Sequence, residues 1–242
     1  MVSLCPHLAG GVARVLDRRH RRAVWTALAL CLGCMVGHSA ETSAVLDGWF
    51  AAQTHLHTWT AEVVQTRTLT VLTQPLVATG RVWVALPDRF RWELGQPAQT
   101  IALRRPAELF VIYPRLKRAE KYALDGKQAG PWRDALALLD ASFPSSRAAL
   151  EARFQLLAVR PTNTVFLVTL QPLSPLARRM MKQIEVGLRT NDFSLASTEL
   201  TFSDGSTLRN DFTRAVANGP LPGDIFDANL APDMTVVEPL RQ

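Results

Sequence analysis

This 242-residue sequence predicts an α+β fold built on one long antiparallel sheet. Three observations carry that expectation. Strand-like runs recur, about ten of them, mostly separated by short turns. Two segments switch to helical spacing, one near the start and one in the middle. No series of strand–helix–strand crossovers appears, so a parallel sheet is not expected. A single antiparallel sheet of this length must curl, and its concave face must be filled by side chains, helices or a ligand.

The first forty residues read as a leader. RRHRR at 18–22 is a basic run, AVWTALALCLGCMV at 23–36 is apolar but short for a bilayer span, and Gly37-His38-Ser39-Ala40 ends in small residues suited to cleavage. Residues 1–40 are therefore expected to be a signal peptide and 41–242 the folded domain. The stretch ahead of RRHRR suggests a start codon downstream of Met1. The leader also accounts for most of the charge. Subtracting its five arginines and its one acid, Asp17, leaves 22 basic and 20 acidic residues, a net charge of +2 rather than +6. The basic pI is thus poor evidence for nucleic acid, and none is expected as a partner. Cys5, Cys31 and Cys34 all lie in the leader, which excludes disulfides and thiol chemistry from the domain. Cys31-Leu32-Gly33-Cys34 resembles a lipoprotein cleavage box, with Cys34 as the acylated residue.

Within the domain, Glu41 to Leu56 is expected to be helical, with Val45, Leu46, Trp49, Gln53 and Leu56 on one side and Thr42 or Ser43 as cap. Trp59 to Leu72 is extended, and Thr73 to Thr79 reads as a loop. GRVWVALPDRFRWEL, residues 80–94, cannot be a helix, because Pro87 stands in its middle and disfavours helical geometry at Leu86. It reads as two strands meeting at a corner. Val82, Val84 and Leu86 share a face of the first; Phe90, Trp92 and Leu94 share a face of the second. Arg81, Arg89, Arg91 and Glu93 point the other way.

Further strands are expected at 100–103, 109–113 and 117–124, with Arg104-Arg105-Pro106 as a turn. A helix follows over Pro131 to Phe143, where Trp132, Leu136, Leu139 and Phe143 fall at helical steps, and a short one over 147–151. Strands return at 154–159, 164–170, 184–188, 195–202 and 207–212, with Pro172 and Pro175 as interruptions and Asp204-Gly205 as a hairpin signal. The tail from Gly219 reads as irregular.

Catalytic motifs are missing from the sequence. There is no nucleophile elbow, zinc helix, phosphate loop or dinucleotide fingerprint. His55 and His57 have no evident third ligand, so no metal is expected. Ser203-Asp204-Gly205-Ser206 reads as a turn. Arg178, Arg179 and Lys182 form a basic patch, read either as a solvated face or as a docking point for an anionic surface.

The order of these elements resembles the periplasmic lipoprotein carrier family LolA. The resemblance runs through the leader, the amphipathic helix, and the strand with Trp59 and Gln65. It continues through Gly80-Arg-Val-Trp-Val-Ala-Leu-Pro87, Phe90-Arg-Trp92-Glu-Leu, Gln96-Pro97 and Tyr113-Pro114 to the Asp204-Gly205 hairpin followed by Phe212. The resemblance implies a strongly curved antiparallel sheet forming an incomplete barrel, with helices covering the concave mouth. It implies an apolar concave face that receives acyl chains: Trp59, Val63, Val82, Val84, Leu86, Phe90, Trp92, Leu94, Ile101, Leu103, Leu109 and Val111. Leu136, Leu139 and Phe143 would belong to a lid. It implies a monomeric, non-enzymatic shuttle of the Gram-negative periplasm, without cofactor. Its cargo would be an acylated lipoprotein or lipid, passed from an inner-membrane exporter to an outer-membrane acceptor. An acceptor of the same fold anchored through Cys34, and a dedicated lipid or polyene carrier, are the alternatives. One departure is visible. The family often has an arginine immediately before the second-strand proline, thought to hold the lid closed, and here that residue is Leu86. A hairpin tip that usually carries glycine is here Arg104-Arg105-Pro106.

Overall fold

The structure, a computed structural model, describes residues 42–124 and 133–239. The chain divides into two units, Met1–Ala44 and Val45–Gln242. Of the first, only 42–44 are described, and they open a helix; the expected leader, Cys34 and Trp132 lie outside the described residues.

Among the described residues, the second unit is dominated by twelve strands in one sheet: β1 (Thr58–Thr68), β2 (Leu76–Ala85), β3 (Arg89–Leu94), β4 (Thr100–Arg105), β5 (Glu108–Tyr113), β6 (Arg118–Ala123), β7 (Phe154–Pro161), β8 (Val165–Pro172), β9 (Met181–Arg189), β10 (Leu195–Phe202), β11 (Thr207–Ala217) and β12 (Thr235–Val237). Their order is β12-β6-β5-β4-β3-β2-β1-β11-β10-β9-β8-β7, so the outer strands do not pair and the barrel stays incomplete. Every ladder is antiparallel except β12 on β6. Hairpins make most connections. The pairing of β1 with β11 joins the two halves of the sheet, with Val63 opposite Phe212. Irregularities in several ladders, such as that between Thr60 and Glu62, add the local twist a curled sheet needs.

Helix α1 covers 42–53 and stops earlier than expected, turning at Thr54 and His55. Helices α2 (Arg133–Ser142) and α3 (Arg147–Glu151) stand where helical spacing placed them. Ser146 caps α3 by accepting from the Ala149 amide at 3.1 Å. Three elements were not expected, the first being a single 3-10 turn over Pro114–Leu116. Pro175, read as a mere interruption, begins a short helix, α4 (Pro175–Met180), with Ser174 as its cap. The tail contributes β12. The segment 73–79 is partly strand, since β2 begins at Leu76, and β4 runs through Arg104 and Arg105.

Two cores lie on opposite sides of the sheet. The main one lies on the concave side. Trp59, Ala61 and Val63 of β1, Val82 and Val84 of β2, Phe90 of β3, Leu109 and Val111 of β5 and Phe212 of β11 meet Leu46 and Trp49 of α1, Leu138 and Ala141 of α2 and Leu150 of α3. The second lies outside β2–β6. There Ala85, Ile101, Leu103, Phe110, Ile112 and Ala119 are covered by Phe226, with Leu221, Ile225 and Met234 of the C-terminal segment packed against them. Arg91, one of the outward charges, donates to Glu93 at 2.6 Å and to the carbonyls of Ile225 and Asp227 at 3.4 Å. Arg89 lies over the Phe226 ring, 5.1 Å from its centroid. The charged outer row is thus a clamp for the tail.

Ladder register corrects one expectation. Val82 stands opposite Trp92, Trp92 opposite Ala102, and Ala102 opposite Val111. The concave residue of β4 is therefore Ala102. Ile101 and Leu103 pair with Ile112 and Phe110 and point to the outer core. Alternation allowed either face of β4 to be the inner one, and the bulkier face turns out to serve the tail.

Gly80 stands in the middle of β2 because the neighbouring chain leaves no room for a side chain. A Cβ there would collide with the carbonyl oxygen of Glu93 on β3. Gly80→Ala should therefore lower the unfolding free energy by about 1–3 kcal/mol, read from denaturant midpoints at constant slope. An unchanged midpoint would show that the β2–β3 ladder is not so closely held.

Candidate functional site

The concave core is not full. A cavity of about 450 Å³ remains between the sheet and α2. Its walls are Gln65 and Arg67 of β1, Phe90, Trp92 and Leu94 of β3, Thr100 and Ala102 of β4, Tyr113 of β5, Leu138 and Leu139 of α2, Leu200 and Phe202 of β10, and Leu208 and Asn210 of β11. The volume lies within the range of pockets that hold small organic ligands, roughly 300–1,000 Å³. Alternation accounts for the lining: along β3 every second side chain, Phe90, Trp92 and Leu94, enters it, and Ala102 opposite Trp92 leaves space where a larger residue would fill it.

The few polar groups are ordered. The Gln65 Nε2 amide donates to Asn210 Oδ1 at 2.9 Å, and Asn210 Nδ2 donates to Thr198 Oγ1 at 3.1 Å. Asn210 is fully buried, so this chain satisfies an amide that would otherwise be costly in an apolar wall. The Trp92 indole N–H is buried and has no hydrogen-bond partner among the described residues. Burial raises the Tyr113 phenol above its usual value, with the Glu120 carboxylate adding to the effect, so it stays protonated at neutral pH. The wall can thus offer a cargo hydrogen-bond donors without a buried carboxylate.

The aromatic residues tie the end of α2 to this wall. Phe143, just beyond α2, meets Trp59 edge-on at 5.3 Å. Trp59 meets Phe212 at 5.1 Å, and Trp92 meets Phe212 at 5.9 Å. Leu86 stands at the other end of the concave side. It lines a cavity of about 210 Å³ with Gln53, Phe143 and Arg153, and a small one of about 30 Å³ with Val84, Phe90, Arg104, Leu139 and Phe143. The Leu86 side chain thus puts an apolar contact where the resemblance implies an arginine. Arg104 reaches the same small cavity from β4, and its Nε is buried without a hydrogen bond.

Of the residues expected to face cargo, Phe90, Trp92, Leu94 and Leu139 line the large cavity. Val84, Leu86 and Phe143 line the smaller ones. Trp59, Val63, Val82, Leu109 and Val111 are buried in the packed floor, and Leu136 packs on that core. Ile101 and Leu103 are on the other side of the sheet. Sequence reading missed the contribution of β10 and β11. Leu200 and Phe202, and Leu208 and Asn210, alternate correctly, but nothing local says that their strands close onto β1. His55 and His57 hold a loop through their backbones: Asn218 Nδ2 donates to the His55 carbonyl and Asn218 Oδ1 accepts from the His57 amide, both at 2.8 Å.

The described residues thus form an open, strongly curved β-barrel with a largely apolar cavity beneath a covering helix. The chain belongs to the LolA family, since residues 54–229 match the model described as outer membrane lipoprotein carrier protein LolA. No curated protein matches the chain in sequence. Among solved structures it is similar to a LolA superfamily protein from Nitrosomonas europaea, at 10% identity over 76% of this chain and 96% of that one, with a TM-score of 0.40. It is also similar to a putative outer membrane lipoprotein-sorting protein domain from Vibrio parahaemolyticus, at 14% identity over 79% and 95% of the two chains, TM-score 0.39. A third is the Mycobacterium tuberculosis lipoprotein LppX, at 10% identity over 74% and 96%, TM-score 0.34. The family assignment rests on the sequence match.

Proposed function

We propose that this protein is a non-enzymatic periplasmic carrier that shelters an acyl chain of a lipoprotein or lipid in the cavity beneath α2. It would take its cargo from an inner-membrane exporter and yield it to an outer-membrane acceptor. The observation that carries this reading is the unfilled, largely apolar space of about 450 Å³ in an otherwise packed concave core. Each methylene removed from water is worth about 0.8 kcal/mol, so a 16-carbon chain left in water costs on the order of 10 kcal/mol. Such a cargo crosses an aqueous compartment only inside a host. A wall of apolar contacts and a few neutral donors, with the one cation Arg67 exposed at its rim, grips without a covalent step, and so permits release to a better site. The unpaired Trp92 N–H supplies a partner for an ester or acid carbonyl on the bound chain.

Native mass spectrometry of the protein as a Gram-negative host exports it, with organic extraction of anything bound, tests the proposal. The expected result is a co-purifying acylated species that added fatty acid displaces. A ligand-free protein that also excludes an apolar fluorescent probe would overturn it. The mass of the processed N-terminus would separate a soluble shuttle from a Cys34-anchored acceptor.

A further inference from the structure

We infer that the rim of the barrel beside the cavity mouth is a docking surface for an anionic lipid bilayer. This goes beyond the carrier reading and does not depend on which cargo is held. Three turns form that rim. The β1–β2 hairpin tip carries Val71, 86% exposed, with Leu72, Leu76 and Val77 also exposed. The β8–β9 connection, which includes α4, exposes Leu176 and Met180. The β10–β11 hairpin lies between them, turning at Gly205, whose φ of +87° suits a residue without a side chain. Hydrogen bonds join the three: Thr70 N donates to Ser206 Oγ at 3.5 Å, and Ser203 N donates to the Met180 carbonyl at 2.9 Å. Three inter-strand spacings separate β1 from β9, so the apolar tips stand about 15 Å apart.

Charge on this rim has one dominant sign. Arg178, Arg179 and Lys182 are exposed, and among the described residues they make no ion pair. The one acid in the β10–β11 turn, Asp204, is turned onto its own hairpin. It accepts from the Ser206 amide at 2.8 Å and the Ser206 hydroxyl at 2.9 Å, and these bonds hold its carboxyl below the usual range. Protruding apolar knobs beside unpaired cations match a bilayer, which offers an anionic surface over an apolar interior and needs no shaped pocket. The same rim borders the cavity. Arg67, Phe202 and Leu208, at the ends of their strands, line it, and Arg67 stands opposite Leu208 in the ladder. A protein seated there would bring its cavity mouth to the membrane from which a chain enters or leaves.

Vesicle flotation tests this with the chain as its host processes it, a pair of vesicle types (phosphatidylcholine alone, or with phosphatidylglycerol), and two double variants. The expected result is binding to phosphatidylglycerol vesicles and little to phosphatidylcholine. Arg178→Glu with Arg179→Glu should lower the partition coefficient at least about tenfold. Val71→Asp with Val77→Asp should do the same. Both pairs should keep the parental melting temperature and probe uptake, since all four side chains are exposed. A parental protein that takes up an apolar probe yet floats with neither vesicle would overturn docking while leaving the carrier reading intact. Undiminished flotation of both variants would also overturn it. Anionic-vesicle binding lost in the variants, but without probe uptake, would support docking and remove the carrier reading.

Discussion

Phe212→Ala is expected to lower the unfolding free energy by about 3–5 kcal/mol, the usual cost of deleting a buried aromatic side chain. Phe212 is 4% exposed and sits where the two halves of the sheet join, opposite Val63 on β1. Its ring is the common edge-on partner of Trp59 and Trp92, and Trp59 in turn holds Phe143 just beyond α2. Removing it deletes apolar burial and two aromatic contacts, each worth about 0.5–1.5 kcal/mol beyond area. Phe212→Leu should recover much of the loss, because it keeps most of the volume. Guanidinium unfolding followed by far-ultraviolet circular dichroism gives both values. A loss under about 1 kcal/mol for the alanine variant would mean that the β1–β11 seam is not a principal part of the core.

Ala102→Trp is expected to abolish ligand uptake while leaving the fold in place. Ala102 is the small residue of the cavity wall, with Trp92 and Val111 as its cross-strand neighbours. A tryptophan there has the open cavity to enter, so its strain cost should stay near the low end of the about 1–3 kcal/mol typical of overpacking. The ligand then loses the volume the new ring occupies. Affinity for an apolar fluorescent probe should fall at least tenfold, which is about 1.4 kcal/mol. The same substitution at Leu103, on the far side of the sheet, provides the contrast: it should disturb the outer core and leave the cavity volume alone. Equal probe affinity in Ala102→Trp and the parent would move the binding site away from this cavity.

Much of the architecture was legible from local pattern. The corner at Pro87, the strands on either side of it, helices near 133–142 and 147–151, and the Asp204-Gly205 hairpin all follow from proline geometry, side-chain period and turn chemistry. On β3 the inward face was legible as well, because Phe90, Trp92 and Leu94 alternate with charged neighbours. On β4 it was not. In TIALRR both faces carry apolar residues, and local sequence contains nothing that separates Ala102 from its neighbours Ile101 and Leu103. Four of the fourteen wall residues were hidden for a related reason. Leu200, Phe202, Leu208 and Asn210 line it only because β11 pairs with β1, a contact between residues distant in the chain.

By itself, the sequence determined where the chain is extended, where it turns, and that one side of several strands must be sheltered from water. Steric preference and hydrophobic alternation act within a few residues, so they are written locally. Only the tertiary structure decided how the sheltered faces are shared. The C-terminal segment, irregular by sequence, covers the outer face of β2–β6 and so takes the bulk of β4 away from the concave side. That leaves Ala102 facing inward, and the concave side keeps a space that its own side chains and helices do not fill. Ladder register is set by the whole sheet, and a shift of one residue would exchange core and cavity.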